Sequence, residues 1–422
     1  MPYDFAPMRP GIQIGPSGVA SNGHPKIAAC GIGAMSPRWR LACGWLTLFV
    51  VGTDLFIISP LLSPIAAEFD RSAASAGLSV TAFSVTYLVS APLIGQLADR
   101  IGRRRTLIAC LLGFAAANFL TGMAPDFTWL LAARVAAGAA AAGTSPLIYA
   151  GVGEAAPPAR RATWMAIAVS GLLLALSIGA PAGTLVASYW GWRAPFLVLA
   201  LLSLALIAAN RLVWPADQKP GENTMAGLPV LRPATMAVWL LPTVLWATAL
   251  YGVYTYLGVW LADAGLSSAE VARAIGFYGV GALAGTLLGG QLADRFGTRR
   301  TMMISLAGLA ACLSAFGAGV GTGWTADAML LITSIFAQFF FPAQQAGLAR
   351  QFPQRRALVL ALNNSALFLG ISTGSLIGGE AMAWSGFGAN AAIGAAIACT
   401  GFIFVASSDR PQRLIRVPNS VP

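Results

Sequence analysis

The feature that most constrains this chain is the recurrence of apolar stretches of about 20 residues, each long enough at ~1.5 Å per residue to cross ~30 Å of hydrocarbon. Twelve are read, at 41–66, 77–98, 106–123, 128–151, 163–187, 194–209, 237–261, 270–292, 301–320, 326–348, 357–379 and 387–406. Hydrocarbon offers the backbone no hydrogen-bond partners, so spans of this length read as helices. Of the 422 residues 57% are hydrophobic and 10% charged, whereas ordinary soluble domains carry roughly a quarter charged. The expected fold is all-α and membrane-embedded, with twelve transmembrane helices.

A net charge of +11 invites a nucleic-acid reading, but the placement of the bases argues against it. With a cytoplasmic N-terminus, 22 of the 26 Lys and Arg residues fall in inner loops and tails. Arg71, Arg193 and Arg273 fall on the opposite side, and Arg134 lies inside a span. This positive-inside bias places both termini in the cytoplasm of a multi-pass inner-membrane protein.

The five cysteines are scattered singly without ligand spacing, and the lone histidine, His24, sits in an N-terminal tail without hydrophobic periodicity. Neither a metal site nor a histidine active site is expected, and the cysteines read as small apolar fillers. Residues 1–39 read as a disordered cytoplasmic tail without the layout of a cleaved leader, and Met35 is an alternative start to Met1.

GQLADRIGRRR from Gly95 returns as GQLADRFGTRR from Gly290, a shift of 195 residues. The same shift carries Pro158, Arg160, Arg161, Ser170, Ser177, Gly179 and Gly183 onto Pro353, Arg355, Arg356, Ser365, Ser372, Gly374 and Gly378. A duplicated unit is implied, giving two pseudo-symmetric six-helix bundles at 40–209 and 237–406. The stretch 210–236, holding Pro215, Pro220, Gly221, Pro229 and Pro233, reads as a cytoplasmic linker, and 407–422 as a cytoplasmic tail.

The repeated turn resembles the signature of the major facilitator superfamily. Its glycine, acid and bases stand here as Gly95, Asp99, Arg100, Gly102, Arg103, Arg104 and Arg105, and again as Gly290, Asp294, Arg295, Gly297, Arg299 and Arg300, with Thr298 where a base is often seen. A short turn between antiparallel helices forces their ends together, and glycine permits close backbone approach. The resemblance implies a gate on the cytoplasmic side, with Asp99 facing the N-terminal end of the eleventh span and Asp294 that of the fifth. Topogenic charges and tight turns are the plainer explanation. Topology alone, however, needs no acid at a fixed offset.

Two charged groups stand inside the spans, Asp54 and Arg134. Asp54 lies about 20 Å along the first span and Arg134 about 9 Å into the fourth, which runs the other way, so the two meet at one level. Burial disfavours the charge on a carboxylate and a guanidinium favours it, so relative movement of two such helices would switch proton affinity. Arg134, Gly138 and Ala142 match a pattern of proton-linked members of the superfamily, and an acid in the first span is common among drug/proton antiporters. A static pair holding the two helices together remains the alternative.

Further resemblances point to small-solute exporters of the arabinose-efflux kind. They are GAPAG with Ala180 between Gly179 and Pro181, GWR at 191–193, YTYL at 254–257 and NNSALFLGISTGSLIGG from Asn363. The superfamily's central cavity makes Tyr251, Tyr254, Gln338, Asn363 and Asn364 candidate substrate-binding residues, although tyrosines and amides serve equally as interhelical glue. With no phosphate-cradling loop and no nucleophile motif, the expectation is a monomeric secondary transporter rather than an enzyme. It would work without a cofactor, with protons, a small organic solute and the lipid bilayer as partners, exporting by alternating access. A proton-independent facilitator or importer is the alternative, and in that case neutralising Asp54 leaves transport intact.

Overall fold

The computed structural model describes residues 36–157, 160–215, 233–318, 323–353 and 356–407. Residues 1–35 of the expected N-terminal tail, with His24 and Met35, the C-terminal tail from 408, most of the linker, and Pro158 and Arg355 lie outside these residues, whereas 37–39 of the expected tail already form the start of the first helix. Every described regular element is helical: α1 Pro37–Glu68, α2 Ala73–Ile101, α3 Arg103–Gly122, α4 Phe127–Ala155, α5 Arg161–Leu174, α6 Ala180–Trp190, α7 Arg193–Val213, α8 Pro233–Asp263, α9 Ser268–Phe296, α10 Thr298–Ala318, α11 Trp324–Gln338, α12 Phe340–Gln351 and α13 Arg356–Ser407. A π-helical turn, Ala175–Gly179, joins α5 to α6. Eleven stretches among the described residues are long and apolar enough to cross a membrane. In the last of these, α13, helical geometry lapses at Ser385 and Gly386, inside the gap between the spans expected at 357–379 and 387–406.

Helix ends follow local chemistry. Pro37 opens α1 with its φ already helical, the Ser72 and Asp126 side chains accept the Ser75 and Trp129 amides, and Ser267 with Glu270 forms a capping box on α9. Gly102 (φ 101°) and Gly297 (φ 87°) close the α2/α3 and α9/α10 turns in a region that side chains avoid.

The interior is largely apolar, yet unlike a soluble fold the surface is apolar too and a set of polar groups is buried. Asp54, Thr47, Asn118, Asn210, Gln344 and Asn363 are fully buried, while Leu93, Leu201, Leu212, Leu287 and Ile403 stand mostly exposed. In hydrocarbon that arrangement keeps the polar groups inside the protein and sets apolar side chains against lipid. In the N-terminal half, α2 and α3 pack on α4, α3 on α7 and α1 on α5; in the C-terminal half, α8 and α10 pack on α13 and α9 on α11. The halves meet through α1 with α8, α2 with α13, and α6 and the π turn with α9.

Candidate functional site

On α1, the Asp54 Oδ1 accepts a hydrogen bond of 2.7 Å from Nη1 of Arg134 on α4, and the two side chains are 0% and 1% exposed. The sequence-predicted pair is therefore brought together. The Arg134 guanidinium also lies 4.7 Å above the Phe83 ring and 5.9 Å from that of Phe196, so an aromatic face shares the charge. Gly138, one turn on from Arg134, is needed for this approach, because a methyl there would run into the Phe83 carbonyl of α2. Asp54 Oδ2 and Arg134 Nε have no hydrogen-bond partner among the described residues. On the other side of Asp54, Gly52 abuts Leu172 and Ala175, and Thr53 abuts Gly179, placing α1 against the π turn.

The next turn of α1 grips the other half. The Tyr254 hydroxyl donates to the Phe56 carbonyl at 3.0 Å, and the Ser59 hydroxyl donates to the Tyr254 carbonyl at 2.5 Å. Nearby, the Ser375 hydroxyl of α13 donates to the Gly77 carbonyl of α2 at 2.9 Å, while the Tyr256 hydroxyl donates to the Ser375 carbonyl at 2.8 Å. Tyr87 and Phe368 stack with ring centroids 3.6 Å apart. Gly77 lies near the start of α2 and Gly102 beyond its end, some 36 Å away along the helix. This latch therefore stands at the end of the molecule far from the signature turns. Inside it, a cavity of about 10 Å³ is left among Leu55, Phe56, Ser59, Val80, Tyr251 and Tyr254, room for about one water.

Tyr251, Tyr254 and Gln338 come together: Tyr251 lies beside the Gln338 side chain, and Tyr254 packs on Tyr278 with centroids 5.0 Å apart. Trp246 lies edge-on to Tyr251 and stacks on Phe340 and Phe341. Asn363 stands apart, accepting the Thr243 hydroxyl at 2.6 Å and so tying α8 to α13. Asn364 is half-buried on α13.

At the signature end nothing lies within 4 Å of where a side chain on Gly95 or Gly290 would begin, so in this conformation neither glycine mediates the close approach expected of it. Asp294 is exposed without a partner among the described residues, as are Arg100 and Arg300. Arg295 covers the Phe296 ring. Arg299 donates to the Val405 and Ala406 carbonyls at the end of α13. Arg104 is half-buried and Arg105 exposed, and the Asp99 side chain lies outside what the structure describes.

Sequence reasoning missed a second charged pair within the spans. Arg273 Nε donates to Asp327 Oδ2 at 2.8 Å, with Asp327 buried and Arg273 over the Trp324 ring. The reading that Asp54 and Arg134 are the only such groups is corrected accordingly. Asp327 lies one residue inside the expected tenth span and Arg273, read from the sequence as an outer-side charge, three residues inside the eighth. The far-end cluster of Glu68 with Trp192 and Arg193 was likewise unforeseen.

Apolar-faced helices enclosing buried ion pairs and a latch between two halves define a multi-pass membrane transporter. The family model of the Major Facilitator Superfamily matches residues 44–325 and 244–419, and the chain belongs to that superfamily. It is 30% identical over 354 residues to the uncharacterized MFS-type transporter YceJ of Bacillus subtilis (strain 168), covering 79% of this chain and 88% of that one. It is 29% identical over 317 residues to a chloramphenicol resistance protein of Streptomyces lividans, covering 72% and 76%. In fold it is similar to a bacterial homologue of the human lysosomal transporter Spinster in an inward-facing, unoccupied conformation. The TM-score is 0.68 at 19% identity, over 88% of this chain and 95% of that one.

Proposed function

We propose that this transporter exports a small organic solute in exchange for protons, by alternating access between two six-helix halves built from twelve spans. The observation that carries the reading is a single stretch of α1. Its Asp54 holds Arg134 inside the N-terminal half, while Phe56 and Ser59, two and five residues on, hold Tyr254 of the other half. Loss of the charge on Asp54 releases Arg134 and lets α1 shift against α8, so proton and solute alter each other's binding through one helix. Tyr251, Tyr254 and Gln338 give that helix an aromatic, hydrogen-bonding neighbour suited to a neutral or weakly polar solute.

Positive-inside charge makes the signature end cytoplasmic, with both termini there and the chain in the inner membrane. The closed far end and the open space at Gly95 and Gly290 then support an inward-facing state, with the signature residues Asp99, Arg100, Gly102, Asp294, Arg295 and Gly297 forming the opposing gate as it closes. The resistance protein of Streptomyces lividans supports export.

The test is proton release from acid-loaded everted vesicles over a solute panel that includes amphenicols, with wild type and Asp54→Asn side by side. Solute-driven discharge in the wild type alone is expected. Equal solute movement in both, without proton movement, replaces this reading with a facilitator.

A further inference from the structure

A cleft of about 590 Å³ opens at the signature end of the C-terminal half, lined by Arg299, Arg300 and Arg350 together with Thr298, Phe296 and Met303. Among the described residues no carboxylate lines it, and no acid stands in the first turn of α10. Arg299 spends two donors on the Val405 and Ala406 carbonyls, and Arg350 makes one long contact of 3.4 Å to the Ala346 carbonyl. None of the three has a counter-ion among the described residues.

The repeat explains how the cleft arose. In the N-terminal half, Arg103 of α3 is ion-paired to Glu154 of α4. The 195-residue shift turns these into Thr298 and Ala349, and adds Arg350 where the first half has Ala155. An ion pair between two helices has become a small neutral residue on each, leaving space with three cations around it. The start of α10 adds its free amides and positive dipole end. Phe296, nearly half exposed, and Met303 give the same cleft an apolar wall. It lies where α9, α12 and α13 end and α10 begins, the level at which a spanning helix meets headgroups.

We propose that this cleft binds the phosphate of an anionic phospholipid, the guanidiniums taking the headgroup and Phe296 and Met303 the glycerol and first acyl carbons. This needs only that the chain spans a membrane, and stands or falls independently of export and proton coupling.

The experiment titrates the purified full-length transporter in zwitterionic detergent with phosphatidylglycerol, phosphatidylcholine or inorganic phosphate, bound lipid being counted by native mass spectrometry. Phosphatidylglycerol is expected to bind well above phosphatidylcholine, and Arg300→Gln with Arg350→Gln to weaken it on the order of 25-fold, from about fivefold per base. Ala349→Glu, which restores the carboxylate of the first half, is expected to do the same while keeping all three arginines, and serves if the double variant does not fold. Unchanged affinity in the variants, or equal binding of phosphatidylcholine, overturns the proposal. So does inorganic phosphate that displaces the lipid at equal concentration, which marks a site for the free anion.

Discussion

At the residue scale, Asp54 and Arg134 are held by opposing costs. Each charge removed from water loses several kcal/mol of hydration, and mutual attraction returns this only when both partners are present. Among the described residues one carboxylate oxygen and the Arg134 Nε find no hydrogen bond, so the remaining desolvation cost falls on the single bond between them. Arg134→Leu is expected to destabilise by about 3–5 kcal/mol, because it strands a buried carboxylate. Adding Asp54→Asn should recover most of that loss. Thermal unfolding of the purified variants, followed by tryptophan fluorescence, gives the double-mutant cycle, and additive effects would rule out the coupling. The pair was legible in the sequence because a charge within an apolar span needs a partner at its own depth. Asp327 and Arg273 escaped the same logic only because they sit near span ends, where charge is ordinarily solvated; the burial of Asp327 comes from packing against α9, which no local pattern records.

At the scale of elements, the signature turns combine two requirements that mutation can separate. Gly102 and Gly297 have φ and ψ open essentially to glycine alone, so Gly297→Ala is expected to cost about 1–3 kcal/mol whatever the state of the transporter. Asp294 is exposed and has no partner among the described residues in this conformation. Asp294→Asn should therefore leave thermal stability within about 0.5 kcal/mol while slowing transport in vesicles, if the acid engages only once the signature end closes. Unchanged transport would reduce the motif to topogenic charge. The helices themselves were readable from the length of the apolar runs, and the break at Ser385 and Gly386 falls where those runs part. The π turn at 175–179 was not. It depends on Thr53 and Gly279 packing against Gly179 and Ser177 from other helices, while the segment's own sequence reads as continuous helix. The latch was hidden for a related reason: Phe56, Gly77, Tyr254 and Ser375 accept hydrogen bonds through backbone carbonyls, which carry no residue-type signature. Of the proposed solute residues, Tyr251, Tyr254 and Gln338 converge, whereas Asn363 is spent holding α8 to α13, a division that residue type alone left even.

At the scale of the whole molecule, alternating access requires the far-end contacts to part in each cycle, which a covalent link across them would forbid. Ala74 on α2 and Gly379 on α13 are placed for one. A Cβ on Gly379 would lie 3.5 Å from that of Ala74, at the short edge of disulfide geometry. The Tyr256 hydroxyl, 2.6 Å from the same point and held on the Ser375 carbonyl, must shift to admit the new side chain. Ala74→Cys with Gly379→Cys, in a background lacking the native cysteines, is expected to transport when reduced, to stop when oxidised and to recover with reductant. Each single-cysteine variant should be indifferent to oxidant. The outcome bears on mechanism because the link joins the two halves at their already closed end and touches neither Asp54 nor the signature turns. Arrest would mean that this end must open in each cycle, whereas full transport by the oxidised protein would mean that α2 and α13 do not separate here and that their contact is a fixed seam.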